Sequence, residues 1–199
     1  MISAIYPPLR DPYNSIRLLS IDRVGGSTIY CTLHERSLKD HPKYAAISYA
    51  WGSAVDATRI VVNGHSFPLR YNIWTFLERV CHDKSLQSAL FWIDAVCVNQ
   101  RDFNERSIQV RIMGQIYHTA TEVIVWLGRR ILDSDLAMRW LCRGKAPDLG
   151  GPLGNSYSWT REEGIALLGL FQRDYWTRVW IVQEITNARQ ITVMCGAQK

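Results

Sequence analysis

Residues 90–128 read LFWIDAVCVNQRDFNERSIQVRIMGQIYHTATEVIVWLG, and they contain the repeating unit of the fold. The apolar run LFWID at 90–94 stops at a polar turn. Asp102 and Glu105 then have capping-box spacing. Ile108, Ile112, Met113, Ile116 and Tyr117 follow as the apolar face of a helix. EVIVWLG at 122–128 is a second apolar run, closed by Gly128. A buried strand, a helix and another buried strand are the signature of a parallel crossover unit.

The same pattern extends in both directions. YAAISYA at 44–50 reads as a buried strand that runs into Trp51 and Gly52. Upstream, IRLLS at 16–20 and TIYCTLH at 28–34 flank Gly25-Gly26 and predict a hairpin. RIVVNGHSFPL at 59–69 carries an Asn63-Gly64 turn and predicts a second hairpin. Asn72 is placed to cap a helix with Ile73, Phe76, Leu77, Val80 and Cys81 on one face. Residues 143–158, rich in Gly and Pro, predict a long surface loop. Thr160 and Glu163 open a helix through about Phe171, a last helix is expected over 174–187, and ITVMC at 191–195 is a strand. The expected fold is α/β: one domain over 1–199, with a mainly parallel central sheet, helices on its faces and added β-hairpins. A terminal strand followed at once by Gly196 and Lys199 suggests a natural protein that continues further.

Composition narrows the class. Of 199 residues, 47% are hydrophobic and 21% charged, the balance of a globular domain. Eight Trp and nine Tyr supply a large aromatic core. The net charge of +5 is scattered without a basic stripe, so no nucleic-acid partner is expected. No run approaches the roughly 18–20 apolar residues of a membrane span, and no signal peptide opens the chain. Five cysteines without a CxxC, and five histidines that complete no zinc spacing, predict reduced thiols, no metal and a cytoplasmic protein.

In such sheets, ligands bind beyond the carboxyl ends of the strands. Ser48-Tyr49-Trp51-Gly52, Asp94 through Gln100, and Trp126-Gly128 should therefore converge on one rim. RVWIVQE at 178–184 adds a carboxylate. On a helix over 174–187, Trp176, Trp180 and Glu184 would stack on one face. Glu184 is either a buried carboxylate of a pocket or an ordinary surface partner of Arg178 or Arg173. Asp94 either lines a pocket or caps the loop 95–101. Asn99 and Gln100 either meet a ligand or tie that loop together. Cys97 is read as a buried apolar side chain rather than a nucleophile. No P-loop, GxSxG, HExxH or GxGxxG is present.

YAAISYAWG at 44–52, the 90–128 stretch and RDYWTRVWIVQEI at 173–185 resemble, in order, the three signature blocks of the HET (heterokaryon incompatibility) domain of filamentous fungi. That resemblance, which covers about 16–196, implies a cytosolic effector that triggers programmed cell death in non-self recognition. It also implies fusion to sensor or repeat modules. The HET domain is in turn similar, more remotely, to the TIR domain. This implies a TIR/flavodoxin-like sheet, a Ser48-Tyr49 pair ending one strand and an Ile93-Asp94 pair ending the next. It places Trp180 and Glu184 on a later helix. In TIR enzymes the equivalent Glu is the catalytic residue of NAD⁺ hydrolysis. The expectation is then an NAD⁺ glycohydrolase that needs no cofactor, with NAD⁺ as substrate and Glu184 stabilising the oxocarbenium-like transition state. Tyr49, Trp51 and Trp180 would stack on the nicotinamide or adenine ring, beside Ser48, Gly52 and Asp94. Asn99, Gln100 and Arg178 would make polar or phosphate contacts. TIR enzymes commonly act as homo-oligomers. The alternative expectation is a non-enzymatic death-signalling module that self-associates through the 95–104 and 143–158 loops.

Overall fold

The computed structural model describes residues 5–55, 57–142 and 160–199. The expected 143–158 loop lies outside them. Among the described residues, eight strands form one sheet: β1 (Ser15–Gly25), β2 (Thr28–Ser37), β3 (Ala45–Tyr49), β4 (Ala57–Val62), β5 (His65–Arg70), β6 (Phe91–Trp92), β7 (Glu122–Trp126) and β8 (Ile191–Met194). Their order is β5-β4-β2-β1-β6-β3-β7-β8.

The sheet is mixed, which corrects the expectation of a mainly parallel one. β6, β3, β7 and β8 run parallel, Ala46 facing Trp92 on one side and Val123 on the other. β1 joins β6 antiparallel at Leu19 and Phe91, and pairs antiparallel with β2 along nearly its whole length. β4 lies parallel to β2 and turns back antiparallel into β5. The reason is that the hairpins are not appendages. Ile16, Leu18 and Leu19 of β1 have no exposed surface, so β1 must lie inside the sheet, where it extends the parallel half with antiparallel strands. The 59–69 hairpin turns at Asn63 and Gly64, both at positive φ (51° and 79°), as a two-residue turn of this hand requires.

The helices are α1 (Tyr71–Cys81), α2 (Asp94–Cys97), α3 (Phe103–Arg111), α4 (Met113–Thr119), α5 (Ser134–Cys142), α6 (Arg161–Phe171) and α7 (Ile181–Thr186). Ile73, Phe76, Leu77 and Val80 of α1 are buried, and Phe76 meets Phe91 and Trp126 edge-on. Each such side chain contributes about 1.5–3 kcal/mol on burial. Arg70, not Asn72, is the residue that precedes α1; Asn72 instead donates from Nδ2 to the Ala50 carbonyl at 2.6 Å. A second cluster, around Val125, Met138, Leu167, Leu170 and Tyr175, seats α5 and α6. The Thr160–Glu163 capping box has both of its reciprocal bonds.

The expected strand 90–94 is only two residues long, because the Ile93 N–H donates to Cys97 Sγ and Asp94 opens α2. Asp102 caps α3, but the Glu105 carboxylate turns inward instead of closing the box. The helix expected over 174–187 is two pieces. A 3₁₀ turn, Asp174–Thr177, ends in extended backbone at Arg178, and α7 begins only at Ile181.

β3 leads on toward β6 on one side, whereas β7 leads to β8 on the other. Connections that diverge in this way leave a crevice at the carboxyl ends of the two strands.

Candidate functional site

The carboxyl ends of β3 and β6 meet α3, α4 and α7 around a cavity of about 410 Å³. Trp51, Asp94, Gln100, Arg178, Trp180 and Glu184 all line it. Six residues chosen from three distant sequence blocks thus share one wall.

Glu184 is buried, with 1% of its surface exposed. Its carboxylate accepts from both Arg178 Nη atoms, at 3.2 and 2.9 Å, and from the Ser48 hydroxyl. Ser48 also shares a 2.8 Å bond with the Tyr175 hydroxyl. The ion pair that the sequence allowed with Arg178 therefore forms, but inside the protein rather than on a helix surface. The break in the 174–187 helix makes it possible. Residues six apart on a continuous helix point about 120° apart, whereas the extended backbone at Arg178 brings its guanidinium back onto Glu184. Thr177, β-branched, donates to the Asp174 carbonyl at 2.8 Å and closes the first turn. Consequently Trp176, Trp180 and Glu184 do not stack on one face. Trp176 packs on Phe171 and donates to the Leu170 carbonyl, Trp180 stands half exposed at the cavity, and Glu184 points inward.

Asp94 is the second carboxylate. Oδ1 accepts from Tyr49 Oη at 2.8 Å and from the Ala95 N–H at 2.7 Å, and Oδ2 accepts from Trp51 Nε1 at 2.8 Å. It caps its loop and lines the cavity at once. Burial pushes its pKa up, against the opposing pull of the Trp51, Tyr49 and Ala95 bonds and the Arg178 charge. Burial also raises Tyr49 well above the ordinary phenol value, with Asp94 adding to it. For Arg178, burial works against the charge, but Glu184 and then Asp94 hold its pKa above the ordinary value.

Ser48 and Tyr49 thus lie beneath the cavity, supporting Glu184 and Asp94 respectively. Gln100 donates to the Asp94 carbonyl at 2.9 Å. The single expected rim divides. Gly52 faces a second cavity with Leu127 and Gly128, and Asn99 faces a third, beside Phe67 and Arg101. Asn99 ties its loop, donating from its N–H to Glu105 and accepting from the Arg101 N–H. Cys97 is buried, and burial pushes its thiol up to about 12, so it has no nucleophile's character.

Several residues of the site escaped the sequence reading. Tyr175 sits directly before Trp176 in an aromatic-rich stretch and gave no sequence signal of its own. Trp92, wholly buried on the cavity wall, has an indole N–H with no hydrogen-bond partner among the described residues. Arg17, also buried, makes a bidentate pair with Glu105 at 2.6 and 3.0 Å and donates to the Pro7 and Cys97 carbonyls. That pair fixes the loop that carries Gln100. A charge inside the otherwise apolar run IRLLS was the available signal.

The family described as Heterokaryon incompatibility protein (HET) matches residues 44–184. The chain belongs to the HET family. The match begins just before β3 and ends at Glu184, so all the residues that line the Glu184 cavity fall within the HET region. Over 143 residues the chain is 35% identical to Heterokaryon incompatibility protein 6, OR allele, of Neurospora crassa, covering 65% of this chain and 21% of that protein. The chain thus spans about a fifth of that relative's length. No solved structure matches the chain. Among the described residues, no helix is long and apolar enough to cross a membrane.

Proposed function

We propose that this HET domain is a cell-death effector of heterokaryon incompatibility, and that it kills by cleaving the nicotinamide–ribose bond of NAD⁺. The observation that carries this reading is Glu184: a buried carboxylate in the wall of a cavity that also holds Trp51, Trp180 and Arg178. The parallel half of the sheet, with its second, first, third and fourth strands side by side, supports a TIR/flavodoxin-like relationship.

The C1′–N bond breaks with its electron pair leaving on nicotinamide, and positive charge develops on the ribose. Glu184 stabilises that charge. Water then attacks C1′ and loses a proton, giving ADP-ribose. At rest Arg178 neutralises Glu184, so the pyrophosphate of NAD⁺ has a defined task. It draws the guanidinium away, since Arg pairs with phosphate as readily as with carboxylate, and leaves the carboxylate's charge to the ribose. Trp51 and Trp180 offer faces for the two rings. The domain acts in the cytoplasm, as a homo-oligomer, fused to sensor modules in the full-length protein.

One observation favours a second reading, a non-enzymatic module that self-associates. Ile165, Leu168 and Phe171 of α6, with Val179 and Val182, are exposed apolar side chains. Expression of wild type and Glu184→Gln in a fungal host separates the two. The enzyme reading expects cell death and falling NAD⁺ with wild type, and neither with the variant at equal protein level. Killing by both, with NAD⁺ unchanged, would support the assembly reading.

A further inference from the structure

Beyond the Glu184 cavity, the crevice between the carboxyl ends of β3 and β7 is the place where the chain's connections diverge. It encloses about 830 Å³, room for a nucleotide-sized ligand. Three arginines line it, Arg129, Arg130 and Arg173, against one lining carboxylate, Asp174. Two of the three cations have no acidic partner among the described residues. Arg173 donates from Nη1 to the carbonyls of Leu127 and Arg129, and Arg129 donates to the Tyr71 hydroxyl. Arg130 pairs with Asp135 at 3.0 Å, with its own side chain largely in solvent.

The backbone is shaped to keep this space. Gly128 has φ +99°, and a Cβ there would come within 3.2 Å of Asn72 Oδ1 and 3.3 Å of Arg173 Nη1. Gly52, opposite, has φ +70°. Each glycine lets the main chain adopt a conformation that other residues rarely reach. The exposed ring of Tyr71, stacked on Trp74 at 5.9 Å, forms one flank. Tyr175 forms the floor, and its hydroxyl, bonded to Ser48, divides the crevice from Glu184.

An excess of guanidinium over carboxylate charge in a concave site at a sheet's switch point fits a phosphate group. We propose that this crevice is a second, separate binding site for a phosphate-bearing small molecule of nucleotide size. Its phosphates would lie against Arg129, Arg130 and Arg173, and Tyr71 would flank its apolar part. The site does not depend on the NAD⁺-cleavage reading.

The test is calorimetric titration of the full chain with pyrophosphate, ADP and adenosine. Arg129→Gln/Arg130→Gln and Glu184→Gln are run beside wild type, each first checked by circular dichroism to be fully folded at the titration temperature. Arg173 is left intact because it holds the Leu127 loop. Pyrophosphate and ADP should bind the arginine variant at least about tenfold more weakly than wild type, whereas Glu184→Gln, although it frees Arg178 in the other cavity, should retain the Arg129- and Arg130-dependent binding in full. Adenosine should bind far more weakly than ADP. Equal affinities for pyrophosphate and ADP would assign the site to phosphate alone; tighter ADP would add the Tyr71 flank. The proposal is overturned if neither phosphate ligand binds at millimolar concentration. It is also overturned if the arginine variant binds as wild type does, or if Glu184→Gln is the variant that loses binding.

Discussion

Glu184 and Arg178 form the ion pair on which the site turns. With Glu184 buried and Arg178 only 19% exposed, removal of one partner strands the other's charge. Arg178→Ala should cost roughly 3 kcal/mol of folding free energy, at the lower end of the usual cost because the guanidinium touches solvent. Replacement of the pair together, Arg178→Met with Glu184→Leu, should recover most of that loss; urea unfolding of the single and double variants reads the difference. The residue level was partly legible in the sequence. Glu184 and Asp94 announced themselves as carboxylates at the ends of apolar runs. Tyr175 and Trp92 did not, because an aromatic side chain in a core-forming segment has the same sequence signature whether it packs or faces a cavity. Asn99 and Gly52 lie one residue from cavity side chains, Gln100 and Trp51, yet face elsewhere, a distinction that only the turn geometry makes.

Among the elements, α6 follows local rules and α7 does not. Thr160 and Glu163 bond reciprocally at the start of α6, and Thr160→Ala should lower stability by about 1 kcal/mol, visible as a lower melting temperature. Its signal was wholly local, two residues at fixed spacing, and so it could be read directly. The 174–187 segment was misread because helical periodicity competes there with a tertiary demand. Arg178 must leave the helix to reach Glu184, and the β-branched Thr177 and Val179 make the break inexpensive. The strand expected at 90–94 shortened for a similar reason: the Ile93 N–H is taken by the Cys97 sulfur rather than by a neighbouring strand.

For the whole molecule, the two hairpins were visible from Asn63-Gly64 and Gly25-Gly26, but their place was not. Pairing between β1 and β6 rests on a single register contact, Leu19 with Phe91, between strands far apart in sequence, and no local pattern specifies it. Burial of titratable groups across this sheet sets the response to alkali. Burial pushes the thiols of Cys31 and Cys97 up to about 12, and the phenols of Tyr49 and Tyr117 well above their ordinary value. The folded state keeps protons that the unfolded chain gives up, so this contribution is fully present below an ordinary thiol pKa of 9.0 and is lost as pH rises from there toward 12. Melting temperature should therefore fall steadily over that window, with the absorbance of these buried thiolates and tyrosinates appearing only as the protein unfolds. The central claim, that the Glu184 cavity cleaves NAD⁺, is tested most directly by nicotinamide release from NAD⁺ with concentrated purified protein, wild type beside Glu184→Gln shown to be fully folded at the assay temperature. Release by wild type and a loss of at least about a hundredfold in the variant is the expected result. Equal release by the two proteins, or none from wild type even when clustered at high concentration, would contradict it.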